Sequence, residues 1–502
     1  MKTFLKVLTV VVVLLIGGYF FTYFFVKYKI ESSLKEPVMN GVVTYEGLDM
    51  SLFRGSVDLT NITWKSKEKE SHVEVADLAV KDISYYAFLF KNQIKMYSIS
   101  ISQPKIYLHK TTDTTVSSSK KNKKEFDKEI IVENLNIGKA SFVYKKDSIE
   151  KLKLNSFDFE LKEIASTKEK RTQEIPFEYG DYDLKVGGLF FDMNELQDLS
   201  VKELQFSKDK VSLTGLHMSP KYSKENYIKH IPYEKDWMDL KIETLVIDGY
   251  QLELEGEKRF YSPLIGIEKM DFEVFRDKTV KDDVTKKEMY SEMLRNLEVG
   301  IKVDSMRIRS SRITYEEQIR KPGPPAMIFF DDLNVKISDV TNLELSREDF
   351  PLTKVEIKTR FMGKSTLNFN WNFKVNDTLD RFRVRGSAYR VSDASVNSFF
   401  TPAFNVEAEG EIDEIYYNFG GDRNVASGDL KLIYEKLKFH VLKKDRQRKD
   451  KILSFIANIV VKNSSKNGGV SKNVGSVKRD KTKSFWNYFW SCLQSGLKKI
   501  FI

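Results

Sequence analysis

Residues able to do acid–base, nucleophilic or metal chemistry are few and scattered in this 502-residue chain. The five histidines, His72, His109, His217, His230 and His440, are unpaired in sequence, and each reads as an ordinary surface or strand residue. A single cysteine, Cys492, excludes an intramolecular disulfide framework and any cysteine-based zinc site. HExxH, GxSxG, GxGxxG and CxxC are all absent. Gly363-Lys364-Ser365 echoes the end of a phosphate-binding loop, but Lys358 stands where the first glycine belongs. The fragment also lies between two strand-like runs, so a hairpin turn is expected there. The adjacent carboxylates Asp331-Asp332 and Asp282-Asp283 read as turn or strand-edge charges. A glycosidase would need two carboxylates at a defined separation, which adjacency in sequence does not supply. The run Lys120 to Lys124 lacks the interleaved aromatics of a nucleic-acid site and reads as a solvated linker, so no nucleic acid is expected as a partner. No catalytic residue, metal or cofactor is therefore expected.

What the chain does carry is patterned apolar sequence. It is 41% hydrophobic, 13% aromatic and 31% charged, enough for a sizeable core and too apolar for a disordered chain. Its net charge of +10, from 82 basic and 72 acidic residues, suits contact with an anionic surface such as lipid headgroups. Val7 to Val26 is almost unbroken apolar sequence, and twenty helical residues reach about 30 Å, the hydrocarbon thickness of a bilayer. With no small-residue cleavage site after it, the run predicts an uncleaved anchor rather than a removed signal peptide. Lys2 and Lys6 on one side balance Lys27 and Lys29 on the other, but a leader of only a few residues is expected to stay in the cytosol, which puts the body outside the inner membrane, as a single-pass protein.

From Val38 onward, apolar residues alternate with polar ones. Leu367, Phe369, Trp371, Phe373 and Val375 are the clearest set, interleaved with Asn368, Asn370, Asn372 and Lys374. Alternation puts one face of each strand in an apolar space and the other in water. The prediction is a mainly β chain, a growing antiparallel meander with few short helices, with a large sandwich as the alternative. Helical patterns are expected at Ser84 to Phe90, in broken turns over Tyr222 to Trp237, and over Lys286 to Asn296, with Asp282 and Asp283 upstream as caps. Three segments read as copies of one unit: Val132 to Lys145, Leu240 to Glu253 and Ile301 to Glu316. Polar linkers are expected at Lys110 to Lys128 and Asn463 to Lys483. The resulting division is an anchor over 1–29, a strand unit over 30–110, a repeated body over 129–442, and a basic linker with an amphipathic segment over 443–502. In that last segment Phe485, Phe489, Leu493 and Ile500 fall near one helical face. Trp486, Trp490 and Leu497 lie beside them, and Lys481, Lys483, Lys498 and Lys499 flank them. This arrangement suits a membrane interface or a cap on the sheet.

Val43 to Trp64 (VTYEGLDMSLFRGSVDLTNITW), Val73 to Leu108, Gly410 to Leu442 and Arg479 to Ile502 together resemble the AsmA-like family of bacterial envelope proteins. The resemblance covers most of the chain through soft, compositional motifs. It implies an elongated, curled, open β-groove, related in design to bridge-like lipid transfer proteins. It also implies a role in envelope lipid homeostasis or outer-membrane assembly. It brings no catalytic motif. The expected function is to bind or transfer phospholipid or other envelope lipids along the groove between inner and outer membranes. The expected partners are the inner membrane and outer-membrane or envelope proteins. An assembly factor for outer-membrane proteins that carries no lipid is the alternative. Leu367, Phe369, Trp371, Phe373 and Val375 are the candidate groove lining, with ordinary core packing as their other reading. Phe485, Trp486, Phe489, Trp490, Leu493, Lys498 and Lys499 are the candidate interface.

Overall fold

A computed structural model describes residues 2–36, 40–67, 70–111, 127–254, 256–442, 465 and 468–501. The chain is mainly β, with 58% strand and 16% helix, built on a large curled mixed sheet with few helices. It divides into two compact units, residues 1–192 with 201–208 and residues 193–200 with 209–502. The Lys120 to Lys124 run and most of the Lys110 to Lys128 linker lie outside the described residues, as do residues 463–464 and 466–467 of the second linker.

The first unit opens with α1 (Lys2–Lys35). Among the described residues no helix is long and apolar enough to cross a membrane. The side chains of residues 1–15 and 17, which include half of the apolar run, fall outside that description. Strands β1 (Gly41–Thr44), β2 (Gly47–Ser51), β3 (Ser56–Ser66) and β4 (His72–Lys81) follow, then the short helix α2 (Tyr85–Phe90). Ser84 caps α2 by accepting a hydrogen bond from the Ala87 amide at 3.2 Å. Next come β5 (Gln93–Ser102), β6 (Lys105–Lys110), β7 (Glu129–Lys146), β8 (Ile149–Ser166) and β9 (Tyr182–Asp192), with β10 (Gln197–Ser207) crossing the unit boundary. β5 and β6 behave as one strand broken at Gln103-Pro104. Both pair antiparallel with β4 on one side and parallel with β7 on the other.

The second unit contains β11 (Lys210–Pro220), α3 (Lys224–Tyr227), β12 (Trp237–Asp248), β13 (Gln251–Glu253), β14 (Arg259–Asp277), α4 (Tyr290–Arg295), β15 (Gly300–Gln318) and β16 (Ala326–Thr341). These are followed by β17 (Thr353–Phe361), β18 (Ser365–Phe373), β19 (Phe382–Ser392), α5 (Asp393–Phe404), β20 (Val406–Gly421) and β21 (Val425–Val441). The unit ends with β22 (Val470–Asn473), β23 (Val477–Lys478) and α6 (Phe485–Phe501). The last two strands, both paired to β21, fall inside Asn463 to Lys483, the segment expected as a polar linker, and α6 covers the expected amphipathic segment.

The expected purely antiparallel meander needs one correction. β14 and β15 pair in parallel, as do β5 and β6 with β7, so the sheet is mixed. A parallel pair needs a crossover connection rather than a hairpin. Such connections are required between β6 and β7 and between β14 and β15, the second of which carries α4. Two of the three repeat-like segments, Val132 to Lys145 and Ile301 to Glu316, are the strands that follow these crossovers. α4 also starts later than expected. It is capped by Met289 without a side-chain bond, while Asp283 instead accepts from the Thr285 amide at 2.9 Å.

Several long strands bend at one residue held at positive φ, including Asn61, Lys139, Lys269, Ser310, Asp332 and Lys436. Register shifts accompany them in β7–β8, β15–β16 and β20–β21. A bulge bends its strand and frees backbone groups that must find other partners. Neighbouring strands supply them. Asp158 Oδ1 accepts from the Lys139 amide at 2.9 Å, and Asn334 Oδ1 from the Ser310 amide at 3.3 Å. Buried Ser311 accepts from the Met270 amide at 2.9 Å and donates to the Arg309 carbonyl at 2.9 Å. Ser311→Ala therefore strands both groups and is expected to lower unfolding stability by about 1–3 kcal/mol in a urea titration. An unchanged midpoint would show that the bulge holds without its serine.

Candidate apolar binding faces

Pairing register converts alternation along each strand into apolar rows across strands. In the first unit one row runs Leu59–Leu78–Ile101–Ile137–Phe159–Leu184. A second runs Val57–Val80–Ile99–Leu135–Leu161–Tyr182, and a third runs Trp64–Val73–Ile106–Phe142–Leu154–Leu189. The reverse face between the first two rows carries Asp58–Ala79–Ser100–Asn136–Glu160–Asp183. Side chains alternate in direction along a strand, so these rows lie on opposite sides of the sheet. Most row members are half-buried; Leu59 and Leu161 are buried. Both buried apolar clusters among the described residues fall in the second unit. The first unit thus presents an apolar face six strands wide, about 24 Å at 4.8 Å per strand, whose described residues are mostly half-buried and form no buried cluster.

The second unit repeats the pattern and then covers part of it. One row across ten strands runs Leu213–Leu245–Ile267–Ile308–Val335–Ile357–Phe369–Gly386–Tyr417–Leu430. The row beside it passes through Ile247, Ile265, Met306, Ile337, Val355, Trp371, Val384 and Phe419. Leu213, Leu245 and Ile267 are half-buried. Val335, Phe369, Trp371, Val384 and Phe419 belong to the buried core.

The cover is α6. Trp371 stacks on Phe485 at 4.4 Å between ring centroids and 12° between planes. Phe489 meets Phe369 edge-on at 5.4 Å, and Phe501 meets Tyr434 at 5.6 Å. Gly496 lets the helix approach, since a Cβ there would stand 2.7 Å from Leu430 Cδ2. Gly386 does the same within the sheet, because a Cβ would collide with the Tyr417 hydroxyl at 2.1 Å. The two candidate sets chosen from sequence therefore meet each other. Phe369, Trp371, Phe373 and Val375 are buried, and Leu367 is half-buried beside them. Phe485 is buried, while Phe489 and Leu493 pack partly buried on the same core. This is the core-packing and capping alternative for both sets. Trp486 stays 45% exposed, with its indole N–H donating to the Tyr290 hydroxyl at 3.1 Å. Lys498 and Lys499 lie in the last turn of the helix.

Where α5 and α6 cross the sheet a cavity of about 80 Å³ remains, lined by Val391, Phe400, Phe404, Ile412, Phe439 and Trp490. It is apolar but too small for a whole acyl chain. In the first unit a polar cleft of about 500 Å³ lies among Asp82, Lys95, Tyr97, Glu133, Lys162, Glu163 and Asp181. Four carboxylates against two ammonium groups make it a poor seat for phosphate.

The histidines are dispersed, as their sequence positions suggested. His217 bonds Asp239 at 2.7 Å, His440 bonds Glu409 at 2.9 Å, and His72 and His230 stack on Tyr107 and Tyr222. Among the described residues no three His, Cys, Asp or Glu side chains gather as a metal site. Asp331 accepts from Arg312 at 2.7 Å, and Asp332 occupies a bulge. Gly363 sits at φ +73° in the hairpin turn between β17 and β18. What sequence alone did not reveal was the strand register, which selects the half-buried rows as the open faces. Their signal was present as alternation around Ile99, Ile101, Leu135 and Ile137.

Two outcomes follow from the covered face. Truncating buried Phe485 to Ala is expected to cost about 3–5 kcal/mol in chemical denaturation. Burial pushes the Cys492 thiol up to about 12. An unfolded cysteine titrates near about 8.5. The protonated thiol's contribution is therefore complete below that pH and is lost as pH climbs towards 12. At pH 8 a thiol reagent should leave Cys492 unmodified in the folded protein and label it faster in Phe485→Ala. Equal labelling rates would show that α6 does not shield the thiol. Comparison with protein-family models and with curated proteins finds no match to this chain.

Proposed function

We propose that this protein is a non-enzymatic, membrane-anchored envelope protein that holds lipid tails against its exposed apolar strand rows and passes them between inner and outer membranes. The observation that carries this reading is the six-strand apolar face of the first unit, mostly half-buried, with a polar row behind it. Each methylene buried there gains about 0.8 kcal/mol relative to water. A lipid tail occupies about half of a roughly 30 Å hydrocarbon core, so a face about 24 Å wide accommodates its length. The apolar run Val7 to Val26 within α1 supports the anchor, with the body in the periplasm. Phospholipid is the leading cargo.

A second reading has its own support. α6 fills the face at β18–β21, as expected of an assembly factor for outer-membrane proteins that carries no lipid. The two readings separate on one experiment. A photo-cross-linking residue replacing Ile137 should capture phospholipid in membranes, while one replacing Asn136, on the reverse face, should not. Vesicle-to-vesicle lipid exchange should accelerate with the reconstituted chain and slow with Ile101→Asp combined with Ile137→Asp. No lipid captured at Ile137, together with unchanged exchange, would leave only the assembly reading.

A further inference from the structure

The first unit carries a compact aromatic patch that its own fold leaves uncovered. α2 has the sequence YYAFLF, and only Ala87 is buried. Leu89 and Phe90 are 69% and 75% exposed, and Tyr85, Tyr86 and Phe88 are also exposed. The turn after β2 adds Phe53 at 87% exposure. The turn and helix are tied together, because the Ile83 amide donates to the Gly55 carbonyl at 2.9 Å just before α2 begins. α1 joins them through Tyr19, which stacks on Phe53 at 4.8 Å and lies close enough to Tyr85 for the two phenols to interact electrostatically.

Position decides what this patch meets. Tyr19 lies seven residues inside the apolar run that ends at Val26, which at 1.5 Å per residue is about 10 Å along the helix. If α1 spans, as proposed above, a ring stacked on Tyr19 sits below the headgroup level. Interfacial helices bury their apolar face to about 5–10 Å. The rim is cationic. Lys128 Nζ lies 4.4 Å from the Phe88 ring centroid and Lys91 Nζ 5.6 Å from that of Tyr86, with Arg54 in the Phe53 turn. Exposed aromatics with ammonium groups over their rings match an anionic leaflet.

We propose that Phe53 and α2 insert into the leaflet from which α1 emerges, as a second membrane contact beside the anchor, and so hold the nearby start of the apolar rows at the bilayer surface. The proposal rests on the anchored reading for α1 but not on lipid being carried. It commits to a lipid surface as the occupant; a second copy of the chain or another protein on this patch would shield it from acyl chains.

The test uses the full chain reconstituted in vesicles of phosphatidylcholine and phosphatidylglycerol, part of it brominated in the acyl chains. Leu89→Cys is labelled with a bimane fluorophore, and Phe53→Cys serves as a second reporter should one site perturb folding. Buried Cys492 does not compete for label. Ser148→Cys, past the far end of β7 and about 60 Å of strand from Glu129, is the control. Several-fold stronger quenching at Leu89→Cys or Phe53→Cys than at Ser148→Cys is expected. Quenching at both reporters no greater than at the control overturns the insertion. Lipid capture at Ile137 is read separately. Capture without quenching removes only the insertion, and quenching without capture removes only the cargo.

Discussion

Strand register is the constraint on which the rest of this molecule depends. Alternation along one strand only sorts that strand's side chains into two sets. Alternation in register across six or ten strands sorts an entire sheet, and a one-residue slip would mix the faces. The rows through Ile101 and Ile137 and through Phe369 and Trp371 exist because every neighbouring pair keeps the same parity. Bulges threaten that parity, since each adds a residue to one strand. Side chains from adjacent strands tie down the displaced amides at Lys139 and Ser310, and beyond the first of these the row through Phe142 and Leu154 continues on the same face.

The two units use one design with different finishes. In the first, the described members of the apolar rows stay mostly half-buried, and a polar row lies on the reverse face. In the second, an aromatic helix from the end of the chain lies down on the last strands and turns lining into core. The same kind of sequence, alternating apolar and polar residues, thus serves either as a surface for a guest or as a seat for the protein's own helix. Which one it becomes depends on what the rest of the chain supplies.

Much of this was legible in the sequence. Period-two patterning gave the β class, the hairpin at Gly363 and the polar reverse faces, because burial of one face forces alternation. α2 was legible through Ser84 and its apolar run. Crossovers were not, because parallel and antiparallel partners demand the same alternation within a strand and differ only in the connection. The bulges were hidden because most of their positive-φ residues are Lys, Asp, Ser or Asn rather than Gly. α5 escaped notice because its apolar residues follow Asp393 without a helical repeat strong enough to stand out beside the strands, and it carries Pro402 within it. The partnership of Trp371 with Phe485 spans more than a hundred residues, and no local pattern encodes it.

The way the sheet stops has a consequence of its own. β21 is seventeen residues long, yet past β20 the described residues that pair with it are Ser465, the four residues of β22 and the two of β23, the last two strands separated by a glycine at positive φ. A long bare margin would recruit strands from other molecules. Here that margin is broken into short stitches and pressed under a helix, so a lattice of strands that could otherwise go on adding rungs reaches a built-in full stop.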